Sequence, residues 1–287
     1  MVFSPAILLT NPSPCRYSSL GGRCALALQL VILFFAPTIY AAEPGKLPKS
    51  VQLIKKVAHQ PVLFTQGLEL HNGQLYESSG GFGHSALMQK PMQSTGKTLS
   101  MEEKPRFIAL PKNQFAEGLT VLNDKLYLLT WRAGMVYILN PADFSLISRR
   151  AYVGEGWGLC NDGSRLIMSD GSAELRFMRP DSFAEQDRLA ITENGQPLKD
   201  LNELEYAKGF IFANIWHSDD IVVISPNSGE VLRRFSLAAL SKGVKKPHKE
   251  AVLNGIAYDE KSDSFLITGK LWPDMFWVKL DVSGLQP

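Results

Sequence analysis

Five positions along the chain carry an uncommon set of side chains: Gln66, Glu117, Trp157, Asn202 and Asn254. Each stands immediately before a shared position, occupied by Gly67, Gly118, Gly158, Glu203 and Gly255, at the head of an apolar run. Unrelated solvent positions would mostly show Lys, Ser or Thr. One carboxylate, three amides and an indole instead suit a site that holds a ligand. A second apolar run follows each head, and four of these runs end in Trp131, Asp170, Trp216 and Lys270. A fold that gathers heads and ends together makes a pocket with aromatic walls and one or two ionisable groups, as a small molecule or a peptide end requires.

What must position these residues is a repeat. The shared positions lie 51, 40, 45 and 52 residues apart, about 47 on average. In each unit the first apolar run closes on a turn signal: His71-Asn72-Gly73, Asn123-Asp124, Asn161-Asp162-Gly163, Lys208-Gly209 and Asp259 to Asp263. These residue types tolerate positive φ or mimic a turn with their side chains. Second runs follow, such as Leu126 to Trp131 and Ile211 to Trp216, then third and fourth runs such as Ile221 to Ile224 and Glu230 to Phe235. Four short strands per repeat of this length is the signature of a propeller blade. Five blades account for nearly all of residues 43–287, so the expected fold is all-β, a single five-bladed β-propeller. A solenoid would need polar capping repeats, which are not seen. Helix is expected only as a turn or so within Phe235–Lys242 and Asp200–Glu205, and Lys49–Val57 offers a strand that could close the ring. In a propeller the first strand of every blade lines the central channel, which brings the five heads onto one axis.

Composition narrows the function classes. The formal charge of +2 comes from 30 Lys and Arg against 28 Asp and Glu, and residues 1–42 hold Arg16 and Arg23 with no acid. The body is therefore neutral, with no basic run beyond Lys245-Lys246, which argues against nucleic acid or an anionic membrane as partner. Residues 25–39 are apolar apart from Gln29, Pro37 and Thr38, follow the two arginines and end in Tyr40-Ala41-Ala42. That is the pattern of a signal peptide spanning 1–42, cleaved near Ala41 or Ala42, and it implies an exported protein, periplasmic or secreted. An uncleaved N-terminal anchor is the other reading. The body keeps one cysteine, Cys160, which cannot form an internal disulfide and reads as a buried structural thiol. The five histidines, at 59, 71, 84, 217 and 248, show no pair at zinc-ligand spacing.

The ordered motifs Phe64-Thr65-Gln66-Gly67-Leu68, Phe115-Ala116-Glu117-Gly118-Leu119, Thr130-Trp131, Glu155-Gly156-Trp157-Gly158, Leu201-Asn202-Glu203-Leu204-Glu205-Tyr206, Asn214-Ile215-Trp216 and Leu253-Asn254-Gly255-Ile256-Ala257 resemble the plant and bacterial type of glutaminyl-peptide cyclotransferase. The resemblance covers about residues 50 to 282. It implies a five-bladed propeller that converts the N-terminal glutamine of peptides and proteins to pyroglutamate with release of ammonia, without a cofactor. It makes Glu117 the catalytic residue and Phe64, Gln66, Phe115, Trp131, Trp157, Asn202, Trp216 and Lys270 the substrate pocket. One departure stands out: Gly81-Phe82 occupies a place where Leu or Thr followed by Tyr would be expected. Trp277, in Phe276-Trp277-Val278, reads as blade packing.

The chemistry sets demands on these residues. The α-amine attacks its own side-chain carboxamide, so the protein need only hold a curled conformer and manage protons and charge. A single carboxyl between the two nitrogens, Glu117, can act first as base and then as acid, with its protonation window set by desolvation from Phe115 and Trp131. Asn202, the indole N–H of Trp157 or Trp216, and Lys270 are the candidates to face the oxyanion. Glu205 is expected either as a second pocket carboxylate or as an anchor for Lys270, and Asn254 and Asp170 as further members. Glu117, Asp170, Asn202 and Asn254 also suit a second class, a calcium-dependent, lactonase-like hydrolase. A non-catalytic, peptide-binding propeller is a third. The expected enzyme acts as a monomer with no metal.

Overall fold

The computed structural model describes residues 47–92 and 105–287, all within the compact unit Ala42–Pro287. The segment read as a signal peptide lies outside the described residues. The described chain opens with β1 (Val51–Ala58) and then builds four sheets in sequence. Blade one is β2 (Thr65–His71), β3 (Gln74–Ser79), β4 (Ala86–Pro91) and β5 (Arg106–Ala109). Blade two is β6 (Ala116–Leu122), β7 (Lys125–Thr130), β8 (Met135–Leu139) and β9 (Leu146–Ala151). Blade three is β10 (Leu159–Asn161), β11 (Leu166–Met168), β12 (Glu174–Met178) and β13 (Glu185–Ala190). A small hairpin, β14 (Thr192–Glu193) and β15 (Gln196–Pro197), precedes blade four: β16 (Leu201–Ala207), β17 (Phe210–Ile215), β18 (Asp220–Ile224) and β19 (Val231–Ser236). After α1 (Ala238–Lys242), blade five is β20 (Leu253–Asp259), β21 (Ser264–Gly269) and β22 (Asp274–Leu280). Its fourth strand is β1, which pairs antiparallel with β22 from Val51 opposite Leu280 to Ala58 opposite Asp274.

The ring is therefore closed by joining the chain's first described strand to its last sheet, as the segment Lys49–Val57 suggested. A buried polar lock reinforces the seam. His59, just after β1, has Nε2 2.8 Å from Glu77 Oε1 on β3 and Nδ1 2.8 Å from the Trp272 carbonyl of blade five, while Thr65 donates to the same Glu77 oxygen.

Burial explains why the innermost and outermost strands read so differently. β6 (AEGLTVL) is buried at every position because neighbouring blades cover both its faces, whereas β13 (EQDRLA) is exposed at five of its six residues. Between the sheets the apolar residues form one cluster for each pair of adjacent blades. Phe212 packs with Phe265 and Ile267 between blades four and five, and Leu68 with Trp277 and Leu266 between five and one. Trp272 and Trp277 are fully buried in this packing, and Cys160 is buried in the cluster between blades three and four.

The turns form where the sequence signals stand, with positive φ at Asn72, Gly73, Asn123, Asp124, Gly163, Lys208, Gly209 and Asp263. The small shared positions have a steric cause as well. A Cβ on Gly118 would lie 2.4 Å from the Leu159 backbone nitrogen, and one on Gly158 2.0 Å from the Asn202 carbonyl. Only glycine lets neighbouring inner strands approach so closely at the axis. Blade four, with Glu203 at this position, uses its side chain instead: the buried carboxyl accepts the Leu68 and Ile256 N–H groups, at 3.3 and 2.7 Å, and so bridges blades one and five. Two helix expectations change. Asp200–Glu205 contributes to strand β16, and the helix near Phe235 is confined to Ala238–Lys242 because Phe235 is needed in β19, fully buried against blade five.

Candidate active site

Every inner strand starts at the same end of the channel, and a cavity of about 240 Å³ opens there. It is lined by Phe64, Gln66, Phe115, Glu117, Trp131, Trp157, Asn202, Trp216, Glu250 and Lys270. The repeat thus brings together all the pocket residues that the motif resemblance named. Gln66, Glu117 and Asn202 head the inner strands of blades one, two and four, with Trp157 just before that of blade three. Trp131, Trp216 and Lys270 follow the second strands of blades two, four and five.

Glu117 is 4 % exposed. Burial pushes its carboxyl well above the usual range, with Glu155 adding to the rise, while the Lys270 ammonium and a hydrogen bond from Gln66 pull the other way. Burial in turn lowers Lys270 to about 8 against the opposing pull of Glu117 and Glu250. An acid and a base in one cavity thus both resist ionisation, which suits a site that exchanges a proton with its ligand. Lys270 also lies over the Phe64 ring, 5.0 Å from its centroid.

Two amide oxygens in this cavity, Gln66 Oε1 and Asn202 Oδ1, are buried without any hydrogen-bond partner. Gln66 bonds Glu117 with its side chain, so its NH₂ group faces the carboxyl and its oxygen remains for something else. Unpaired buried acceptors are costly in a folded protein, by about 1–3 kcal/mol each. Their partner is to be sought in a ligand bearing N–H groups.

The aromatic wall is held from behind by a residue to which the sequence reading gave no role. Glu155 Oε2 accepts the indole N–H of Trp131 at 2.6 Å and that of Trp157 at 3.0 Å, and its other oxygen accepts Arg132 at 2.9 Å. The Arg132 guanidinium lies 3.9 Å over the Trp131 ring. These hydrogen bonds hold Glu155 below the usual carboxyl range despite its partial burial. They also correct one expectation: the Trp157 N–H is engaged by Glu155 and does not face the oxyanion position. Trp157 then stacks edge-on with Trp216, their centroids 5.7 Å apart. Glu250 is the second addition; it comes from the irregular stretch after α1 and lies 3.4 Å from His217.

Three further candidates lie off the cavity lining. Asn254 turns its amide to the Thr65 carbonyl at 2.9 Å and ties blade five to blade one. Asp170 caps its own turn by accepting the Ser172 N–H, with Arg176 at 4.0 Å. Glu205 lies three residues down the channel from Asn202, about 10 Å by strand rise, and accepts the backbone N–H groups of Tyr258 and Tyr206 beside Glu69. It is neither a second pocket carboxylate nor a Lys270 anchor. The oxygen ring of the calcium reading accordingly does not assemble. Among the described residues no three His, Cys, Asp or Glu side chains gather as metal ligands.

The fold is a closed, all-β, five-bladed propeller with a buried carboxyl and a buried amine in an aromatic pocket at the mouth of its channel. A model of the family described as glutamine cyclotransferase matches residues 25–280. A glutaminyl-peptide cyclotransferase of Arabidopsis thaliana is 35% identical over 234 residues, covering 80% of this chain and 71% of the relative. The crystal structure of Myxococcus xanthus glutaminyl cyclase superposes with a TM-score of 0.72 at 39% identity, covering 80% of this chain and 96% of that one. The chain belongs to the glutamine cyclotransferase family and is an enzyme of the glutaminyl-peptide cyclotransferase type.

Proposed function

We propose that the chain cyclises the N-terminal glutamine of peptides and proteins to pyroglutamate, with Glu117 as the sole proton relay and no metal taking part. The observation that carries this reading is the pairing of the buried Glu117 carboxyl with two unpartnered amide acceptors in one small cavity. A glutaminyl residue supplies the missing donors, its α-amine and its carboxamide NH₂. Curled between Phe115, Trp131 and Trp216, it sets the amine nitrogen against the side-chain carbonyl carbon.

The neutral amine attacks that carbon, forming the ring C–N bond, and the carbonyl electrons move onto oxygen, where the Lys270 ammonium stabilises them. Burial raises the proton affinity of the Glu117 carboxyl, and in this reading it acts first as acid, giving its proton to the departing nitrogen. The C–NH₂ bond breaks as the carbonyl reforms, and the resulting carboxylate takes the proton of the attacking nitrogen. This acid-first order differs from the base-first order expected from the residues alone; the burial of Glu117 supports it. Glu117 ends as it began, and ammonia leaves.

A set of three peptides tests the reading, incubated with excess chelator while ammonia is followed: glutamine first with a free amine, glutamine first but acetylated, and glutamine internal. Release from the first alone is expected. Release from the acetylated or internal peptide, or activity that returns only on adding a metal, contradicts it. The same reading has the mature chain exported, supported by the apolar, arginine-preceded segment ending at Ala41-Ala42. N-terminal sequencing of the exported protein is expected to begin near Ala42 or Glu43, and a start at Met1 contradicts cleavage.

A further inference from the structure

The cavity has room for about one residue, and its reacting groups lie at the floor. A peptide whose first residue fills it must pass its second residue over the mouth. The mouth is not uniform. On the blade-four and blade-five side it carries Trp216, His217 and the Glu250 carboxylate. On the side of blades one and two it carries Phe82, a phenylalanine left 55 % exposed.

Phe82 continues the pocket's aromatic wall outward. Phe64 meets Phe115 at 6.1 Å between centroids, Phe115 meets Trp131 at 5.6 Å, and Phe82 rests on both, 5.5 Å from Phe115 and 6.4 Å from Trp131. The loop that carries it is tied down. Gly80 N–H donates to the Phe64 carbonyl, Gly83 N–H to the Lys112 carbonyl, and His84 N–H and the Ser85 hydroxyl both to the Gly81 carbonyl. Gly81 and Gly83, on either side of Phe82, have φ of 129° and 79°, a path that side-chain-bearing residues rarely follow. The tied loop holds this half-exposed ring against Phe115 and Trp131, so the apolar surface of the cavity wall continues without a break onto Phe82 at its mouth. Phe82 is also one of the two residues at which this chain departs from the pattern it otherwise resembles.

We propose that Phe82 is a specificity-determining residue that receives the second side chain of the peptide substrate and favours a large apolar or aromatic one. The inference rests on the N-terminal glutamine reading above. An apolar side chain laid on the Phe82 ring removes surface from water on both partners, and an aromatic one adds edge or offset stacking. A charged second residue gains neither.

The test is kcat/KM for four peptides differing only at the second residue: Gln-Phe, Gln-Leu, Gln-Gly and Gln-Lys. Wild-type enzyme is expected to prefer Phe and Leu over Gly by about tenfold. In Phe82→Ala the Phe-to-Gly ratio is expected to fall to within about twofold of unity, with Phe82→Leu recovering the preference for Leu but less of that for Phe. Thermal unfolding of both variants checks that the fold is intact. A wild-type enzyme that turns over all four peptides equally, that prefers Gln-Lys, or whose preference for Phe survives in Phe82→Ala, overturns the proposal while leaving the glutamine reading in place. Failure of wild-type enzyme to release ammonia from any of the four removes that reading, and the proposal with it.

Discussion

The two ends of the central channel make an instructive contrast, because both hold buried carboxyl groups that resist ionisation. At the end where the inner strands begin, Glu117 shares a cavity with Lys270, aromatic walls and unpaired amide oxygens. At the end where they finish, Glu69 and Glu205 face each other beside a larger cavity of about 470 Å³ lined by the turns at His71 to Gly73 and Asp259 to Lys261. Burial pushes Glu69 up to about 7, with hydrogen bonds from Thr120 and Val121 opposing, and lifts Glu205 well above the usual range, helped by Glu69 and Glu203. Among the described residues this second cavity is lined by a single aromatic side chain, Tyr258, and by no buried cation. A displaced carboxyl pKa therefore does not distinguish a catalytic end from a structural one. The distinction lies in what surrounds the acid: a cation to meet developing negative charge, a wall to exclude water, and acceptors awaiting a ligand.

The contrast is sharpest when one carboxyl is moved at each end. Glu117→Asp keeps the acid but withdraws it by one methylene, and a misplacement of about 1 Å is expected to lower kcat by about 10²-fold. The matching Glu205→Asp is expected to stay within about twofold. Steady-state ammonia release on a Gln-initiated peptide measures both. A smaller loss, about tenfold in kcat/KM, is expected from Glu155→Ala, because the indoles of Trp131 and Trp157 lose their common acceptor. Tryptophan emission should shift in the same variant, and Glu155→Gln, which retains an acceptor oxygen, should recover part of the activity.

The buried ammonium at the catalytic end gives a change of profile more than of rate. Lys270, lowered to about 8, loses its proton as pH rises through that value, so kcat is expected to fall on the alkaline side with an apparent pKa near 8. Lys270→Arg, whose guanidinium stays charged, should move that limb beyond the measurable range at reduced kcat. At the other end the smallest effect is on stability. Glu69 binds its proton more tightly folded than unfolded, so its contribution to stability is full below about pH 4.5 and is lost as pH rises to about 7. Glu69→Gln should flatten that decline in denaturant titrations, leaving ammonia release within about twofold.

Much of this was legible in the sequence because a propeller converts period into convergence. Once the five shared positions set the repeat, Gln66, Glu117, Trp157 and Asn202 had to approach one axis, and Trp131, Trp216 and Lys270 followed from the ends of the second strands. The misses have physical causes. Asn254 holds the same repeat position but turns aside to the Thr65 carbonyl. Glu205 sits close to Asn202 in sequence, yet three residues of strand carry it toward the opposite end of the channel. Glu250 belongs to the irregular segment after α1, which follows no repeat and offers no register to read. Glu155 lay in plain sight within a quoted motif, but its role exists only where indoles from two blades meet one oxygen.

The central claim is that the carboxyl of Glu117 alone relays the proton from the attacking nitrogen to the leaving one. Ammonia release from a Gln-initiated peptide in excess chelator tests it most directly, measured for wild type, Glu117→Gln and Glu205→Gln. Glu117→Gln preserves shape and polarity but cannot exchange a proton, so the account predicts a loss of at least about 10³-fold in kcat with Glu205→Gln close to wild type. Turnover by Glu117→Gln within about tenfold of wild type, or an equal loss in both variants, would contradict it.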